Sequence, residues 1–169
     1  MNTDVSFSTS RPVPDFAVDL AATVEAIQLL VPNLGFSVGY TAHECHAIVP
    51  DFHEPDLVHD SIIKRPSSMA EALRVAFIDC LEDGGFDPDH PPVSQVWCGN
   101  LASSLIEAHD LFPHLDLELG FVGGRLFAWM GTGPEDQPYS VSLEPTITLA
   151  DAVSAVVALA QNEGRRRAA

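Results

Sequence analysis

The chain has 169 residues, 46% of them apolar, which allows one domain, or two small ones packed together, around a real core. It carries 24 Asp and Glu against 8 Lys and Arg, a formal net charge of −16. A surface of that sign repels phosphates, so direct DNA or RNA binding is not expected. No apolar run approaches the ~18 residues of a membrane span, and MNTDVSFSTSRPVP lacks the basic start and apolar stretch of a secretory signal. Cys45, Cys80 and Cys98 fit no metal-ligand spacing and suit reduced thiols, so the expected compartment is the cytoplasm.

Residues 1–14 read as a tail. A first helix is predicted over about 19–31, with Asp19 as N-cap, an apolar stripe of Leu20, Val24, Ile27 and Val31, and Pro32 as its stop. A strand follows, where Leu34, Phe36, Val38 and Tyr40 alternate with Gly35, Ser37 and Gly39. Two more strands are predicted over about 44–49 and 58–64. A closing helix starts at the capping box Ser68-x-x-Glu71, turns Met69, Leu73, Ala76 and Cys80 inward, and stops at Gly84. The stretch GGFDPDHPP (84–92) is rich in glycine and proline and reads as a linker.

The chain then repeats itself. LVPNLGFSVGY (30–40) and LFPHLDLELGF (111–121) share the pattern Leu-apolar-Pro-x-Leu-x-apolar-x-apolar-Gly-aromatic, an offset of 81 from residue 30 to residue 111. SMAEALRVAFIDCLEDG (68–84) lies over TLADAVSAVVALAQNEG (148–164), an offset of 80. The second unit has a helix over about 100–112 capped by Asn100, strands over about 115–121, 125–130 and 139–144, a Gly123-Gly124 hairpin turn, and a last helix ending at Gly164. The expected fold is therefore α+β: a tandem duplication of an α-β-β-β-α unit, with antiparallel sheets, helices packed on one face and a pseudo-twofold axis. Its expected parts are the tail 1–14, a first copy 15–85, a linker 86–98, a second copy 99–164 and a basic tail 165–169 holding Arg165, Arg166 and Arg167.

Four of the seven histidines fall in HECHAIVPDFHEPDLVH (43–59). On a strand Cys45 and His46 point to opposite faces, so they cannot share an ion without a bulge. His43, Cys45, His53 and His59 form the best zinc constellation available, yet their spacing matches no established ligand pattern. The second unit carries GRLFAWM in place of HECHAIV, with His46 falling on Phe127, so the fold itself does not require these histidines. No metal, cofactor or catalytic residue is assigned. GTGP (131–134) lacks the Lys-Ser/Thr end of a phosphate loop, and no Gly-x-Ser-x-Gly is present.

The segment LFAWM is apolar on both faces. With Leu126, Ala128 and Met130 toward the helices, Phe127 and Trp129 lie beside the outward Asp116 and Glu118. Together with Glu135 and Asp136 these make an acidic, aromatic patch of the kind that binds proteins.

The α-β-β-β-α order is similar to that of the double-stranded-RNA-binding domain, but that family places lysines where this chain has SSMAEAL and TLADAV, which removes the RNA reading. Acidic α+β proteins of this size also resemble type III secretion chaperones, which bind partner chains. SLEPTITLADAVSAVVALA resembles the C-terminal part of small uncharacterised phage and prophage proteins, which implies a mobile-element protein that blocks a host machine. The expected function is a non-enzymatic acidic binding protein or inhibitor engaging a basic surface of a protein partner, with nucleic-acid mimicry as one form of it. The alternatives are a small metal-dependent hydrolase using the His43–His59 cluster, and an assembly protein that dimerises through its aromatic strand.

Overall fold

Period-two alternation of apolar and polar residues builds one six-stranded antiparallel sheet. The computed structural model of the chain describes residues 14–32, 34–54, 56–86, 96–133 and 139–167. The elements, in chain order, are a 3₁₀ turn (Asp15–Ala17), α1 (Leu20–Leu30), β1 (Phe36–Tyr40), β2 (Glu44–Pro50), β3 (Val58–Lys64), α2 (Met69–Glu82), α3 (Leu101–Leu111), β4 (Asp116–Val122), β5 (Arg125–Gly131), β6 (Tyr139–Leu143) and α4 (Leu149–Arg167). The strand order is β3-β2-β1-β4-β5-β6. The two halves meet where β1 pairs antiparallel with β4, in the register Phe36↔Phe121 through Val38↔Leu119 to Tyr40↔Leu117.

Helix α2 lies against β1, β2 and β3, and α4 against β4, β5 and β6. The face they cover holds Phe36, Val38, Cys45, Ala47, Val49, Leu117, Leu119, Leu126, Ala128 and Met130, all buried. Leu20, Val24 and Ile27 of α1 and Leu101, Leu105 and Ala108 of α3 belong to the same core. Phe16 of the 3₁₀ turn joins α3 to β1, its ring 4.4 Å from Tyr40 and 5.0 Å from His109. Alternate residues on the other face are exposed or half-buried along β2, β3 and β6. That is the one-sided burial typical of an antiparallel sheet with a solvated face.

Helix ends follow local chemistry in part. Ser68 accepts the Glu71 amide at 3.2 Å. Thr148 and Asp151 form a full reciprocal box, with the Asp151 amide donating to Thr148 Oγ1 at 3.1 Å and the Thr148 amide to Asp151 Oδ2 at 2.9 Å. The Thr148 amide, and its hydroxyl donating to the same Oδ2 at 2.8 Å, hold the Asp151 carboxyl below its ordinary pKa. Gly84, at φ 71°, closes α2: its amide reaches Leu81 O and that of Gly85 reaches Cys80 O, the paired bonds of a Schellman motif. Gly123 and Gly124 both take positive φ in the β4–β5 turn.

Three expectations need correction. Asp19 and Asn100 make no side-chain cap. Asp19 instead adopts φ 58°, a left-handed residue turning the chain from the 3₁₀ turn into α1, and a short polar side chain tolerates that conformation. Residues 96–98, expected as the end of a linker, are built into the core: Val96 and Cys98 are buried, and Trp97 O and Cys98 O accept the first free amides of α4. Finally α4 does not stop at Gly164 but runs on to Arg167, so Arg165, Arg166 and Arg167 are helical rather than a frayed tail. Gly164 is exposed, with nothing near enough to impose a turn on it, and cations in the last turn oppose the negative end of the helix dipole.

This last point is testable. Within a helix, Gly164→Ala stabilises the protein by about 0.5–1 kcal/mol, read as a higher urea midpoint. At a left-handed stop the same change would lower it.

Candidate partner-binding face

The uncovered face of the sheet is where the acids and aromatics gather. Strand register places Gly39 of β1 between His46 of β2 and Glu118 of β4, and Glu118 beside Trp129 of β5. Trp129 Nε1 donates to Glu118 Oε2 at 3.0 Å, and His46 Nε2 faces the same oxygen at 3.6 Å. Ser37 donates to this carboxylate as well. Burial alone would raise the Glu118 pKa, but the donations from His46, Ser37 and Trp129 outweigh it and hold the carboxyl below its ordinary value.

Two glycines make the face flat enough for rings to lie on it. A Cβ at Gly39 would come within 2.6 Å of both His46 Cε1 and Leu117 O. At Gly120 a Cβ would strike Phe36 O and come within 2.9 Å of the Phe127 ring. His46 and Phe127 therefore cross the sheet over glycines, where a close approach of side chain to backbone requires them.

The expected patch residues fare differently. Phe127 lies half-buried on this face. Trp129 shares the face but is only 6% exposed and bound to Glu118, so it belongs to the floor of the face. Asp116 sits at the edge, half-buried, and burial raises its pKa, opposed by His46 and His43. Glu135 and Asp136 lie outside the described residues. On the β2–β3 side the same face exposes Val58 and Ile62, the latter to 64%, next to half-buried Ile48. Its described carboxylates are Glu44, Asp60, Asp116 and Glu118, against Lys64 and Arg125, and Arg125 is ion-paired with Glu144. His46 is the face residue that sequence reading passed over. Its correspondence with Phe127 was the available signal.

The zinc constellation does not assemble. His43 is exposed in the β1–β2 turn, where its amide reaches Thr41 Oγ1, and His53 is exposed in the β2–β3 loop. Cys45 is buried beneath α2, its thiol donating to Ser67 O at 3.5 Å and pushed up in pKa by burial despite nearby Arg65. His59 faces the same side but pairs with Val49, four residues along β2 from Cys45, or about 13 Å. Instead His59 Nε2 bonds Asp51 Oδ2 at 3.2 Å and its Nδ1 faces Asp83 at 3.7 Å, tying the β2–β3 loop to the end of α2. Asp51 also accepts the amides of Glu54 and His53, and these bonds lower its pKa. Among the described residues no group of three or more His, Cys, Asp or Glu could hold a metal ion. Burial raises the thiols of Cys80 and Cys98 to about 11, far from the thiolate form a nucleophile needs. No described helix is long and apolar enough to cross a membrane.

Comparison with known protein families, with characterised proteins and with solved structures finds no match to this chain.

Glu118 gives a signed pH prediction. Its folded pKa is depressed, so its contribution is present above the unfolded value of about 4.3 and is lost as pH falls through the folded one. Glu118→Gln keeps an acceptor for Trp129 but removes the charge. The variant should be less stable than the parent by about 1 kcal/mol at pH 7, with the gap in urea midpoint closing as pH falls below the carboxylate range. A gap that stays constant with pH contradicts the account.

Proposed function

We propose that the protein is a non-enzymatic binding protein whose uncovered sheet face engages a basic surface of a protein partner. One observation carries this reading. The helices bury one face of the sheet, while the other presents Ile62, Val58, Ile48 and Phe127 among four carboxylates. Apolar side chains on β2, β3 and β5, flanking the central carboxylate of Glu118, suit a partner whose lysines and arginines lie among apolar spots. Trp129 is already buried within the chain, so the anchors available to a partner are Phe127 and Ile62. The overall charge of −16 adds long-range attraction to such a partner.

The duplication read from the sequence is part of the same proposal. Its support is the register at the sheet centre, where Val38 pairs with Leu119, the two residues that the repeat superposes. On that reading Gly39 with His46 is the twin of Gly120 with Phe127, and Ser37 is the twin of Glu118. Each copy then contributes two of the four carboxylates to the face, and the second adds the aromatic rings of Phe127 and Trp129.

The test uses the protein as bait in a lysate of its own host, followed by affinity measurement with the isolated partner. Phe127→Ala and Ile62→Asp, each shown to be folded, should weaken binding at least about tenfold. Binding should also fall steeply as salt rises from about 0.05 to 0.5 M. Affinity indifferent to salt and to both substitutions would overturn the proposal.

A further inference from the structure

At one end of the β1–β4 seam lies a cluster around Tyr40 and Arg65 that the partner-binding face does not use, Asp116 alone being shared with that face. Tyr40 ends β1 and is only 2% exposed, yet its Oη has no hydrogen-bond partner. Arg65, just past β3, lies with its guanidinium carbon 4.8 Å from the Phe16 ring centre and 5.5 Å from that of Tyr40. Its Nε and Nη2 are buried and likewise unpartnered. Tyr40 and Arg65 line a small cavity together with His109 of α3, His114 and Asp116.

Three donors in one place without acceptors are costly. A buried hydroxyl left unsatisfied costs about 1–3 kcal/mol and a charged group more. Aromatic stacking offsets part of the Arg65 charge and the guanidinium also reaches the Cys45 sulfur, but Nε and Nη2 stay without an acceptor. The chain has 24 carboxylates, and no described one forms an ion pair with this guanidinium. Apart from Asp116 in the cavity wall, which forms no ion pair with Arg65, the lining offers these donors no negatively charged acceptor.

Size and charge narrow the class. The cavity offers about 20 Å³, against the ~10–15 Å³ needed for a single water-sized occupant. A whole phosphate or carboxylic acid does not fit within that inner space, although its mouth between Ala42 and His114 is open. Asp116 in the same wall disfavours a doubly charged ion by like-charge repulsion. We propose that this cavity binds one monovalent halide-class anion, chloride foremost, held between the Arg65 guanidinium and the Tyr40 hydroxyl. Bound there, the ion ties the end of β1 to the segment after β3, next to the seam that joins the halves.

The test is thermal unfolding of the untagged full chain as chloride replaces gluconate at constant ionic strength. Constant ionic strength removes the general screening that any salt gives so acidic a protein. The expected result is a rise of about 2–4 °C at a few-fold excess over Kd, with broadening of the chloride NMR line and no comparable rise in sulfate. Tyr40→Phe, which deletes only the hydroxyl, and Arg65→Met should each abolish both signals. If Arg65→Met does not fold, Tyr40→Phe alone decides. An absent chloride effect, an equal effect of sulfate, or an effect retained in Tyr40→Phe overturns the proposal.

Discussion

The structure depends on the pairing of β1 with β4. Among the described residues neither half has another strand with which to complete its sheet at that edge, and an unpaired inner edge would leave a row of buried amides and carbonyls without partners. The pairing also places Val38 and Leu119, both fully buried, side by side beneath the helices. Phe16, Tyr40 and His109 close one end of this seam. Sequence-distant strands thus make the sheet continuous, and α1 and α3 make the core continuous above it.

From this seam follow the two faces. The central strands are buried on the helix side by large apolar residues. On the other side Gly39 and Gly120 leave room for rings to lie flat. The carboxylate of Glu118 sits between the halves, taking donors from Ser37 of β1 and Trp129 of β5 and facing His46 of β2. It is thus a polar contact spanning the seam on the open side, as Val38 and Leu119 are the apolar contact on the covered side. A carboxylate so supplied with donors stays ionised at neutral pH, which maintains negative charge at the centre of the proposed binding face.

Elements bound by local rules were legible in the sequence. The strands expected over about 44–49 and 58–64 coincide with β2 and β3 almost to the residue, and Ser68, Thr148, Gly84 and the Gly123-Gly124 turn marked boundaries the structure retains. The failures lie where a local signal has no local enforcement. Gly164 would suit a helix stop, but at an exposed position nothing forces the left-handed turn, and the arginines beyond it favour another turn of helix. Asp19 would suit a cap, but the preceding 3₁₀ turn sets its backbone first. The candidate site was legible by face and not by depth. Period two put Phe127, Trp129, Asp116 and Glu118 together, whereas the burial of Trp129 depends on its fit to Glu118. The cluster of Arg65 and Tyr40 had no signature at all, because its members come from four distant segments.

Native-state hydrogen exchange tests the central claim most directly. If the β1–β4 pairing makes one cooperative unit, the amides of both strands exchange only through global unfolding. The slowest amides of β2 and β5 should then share the same free energy and the same dependence on denaturant. Exchange of one half at a distinctly lower free energy, while the other half stays protected, would contradict the account.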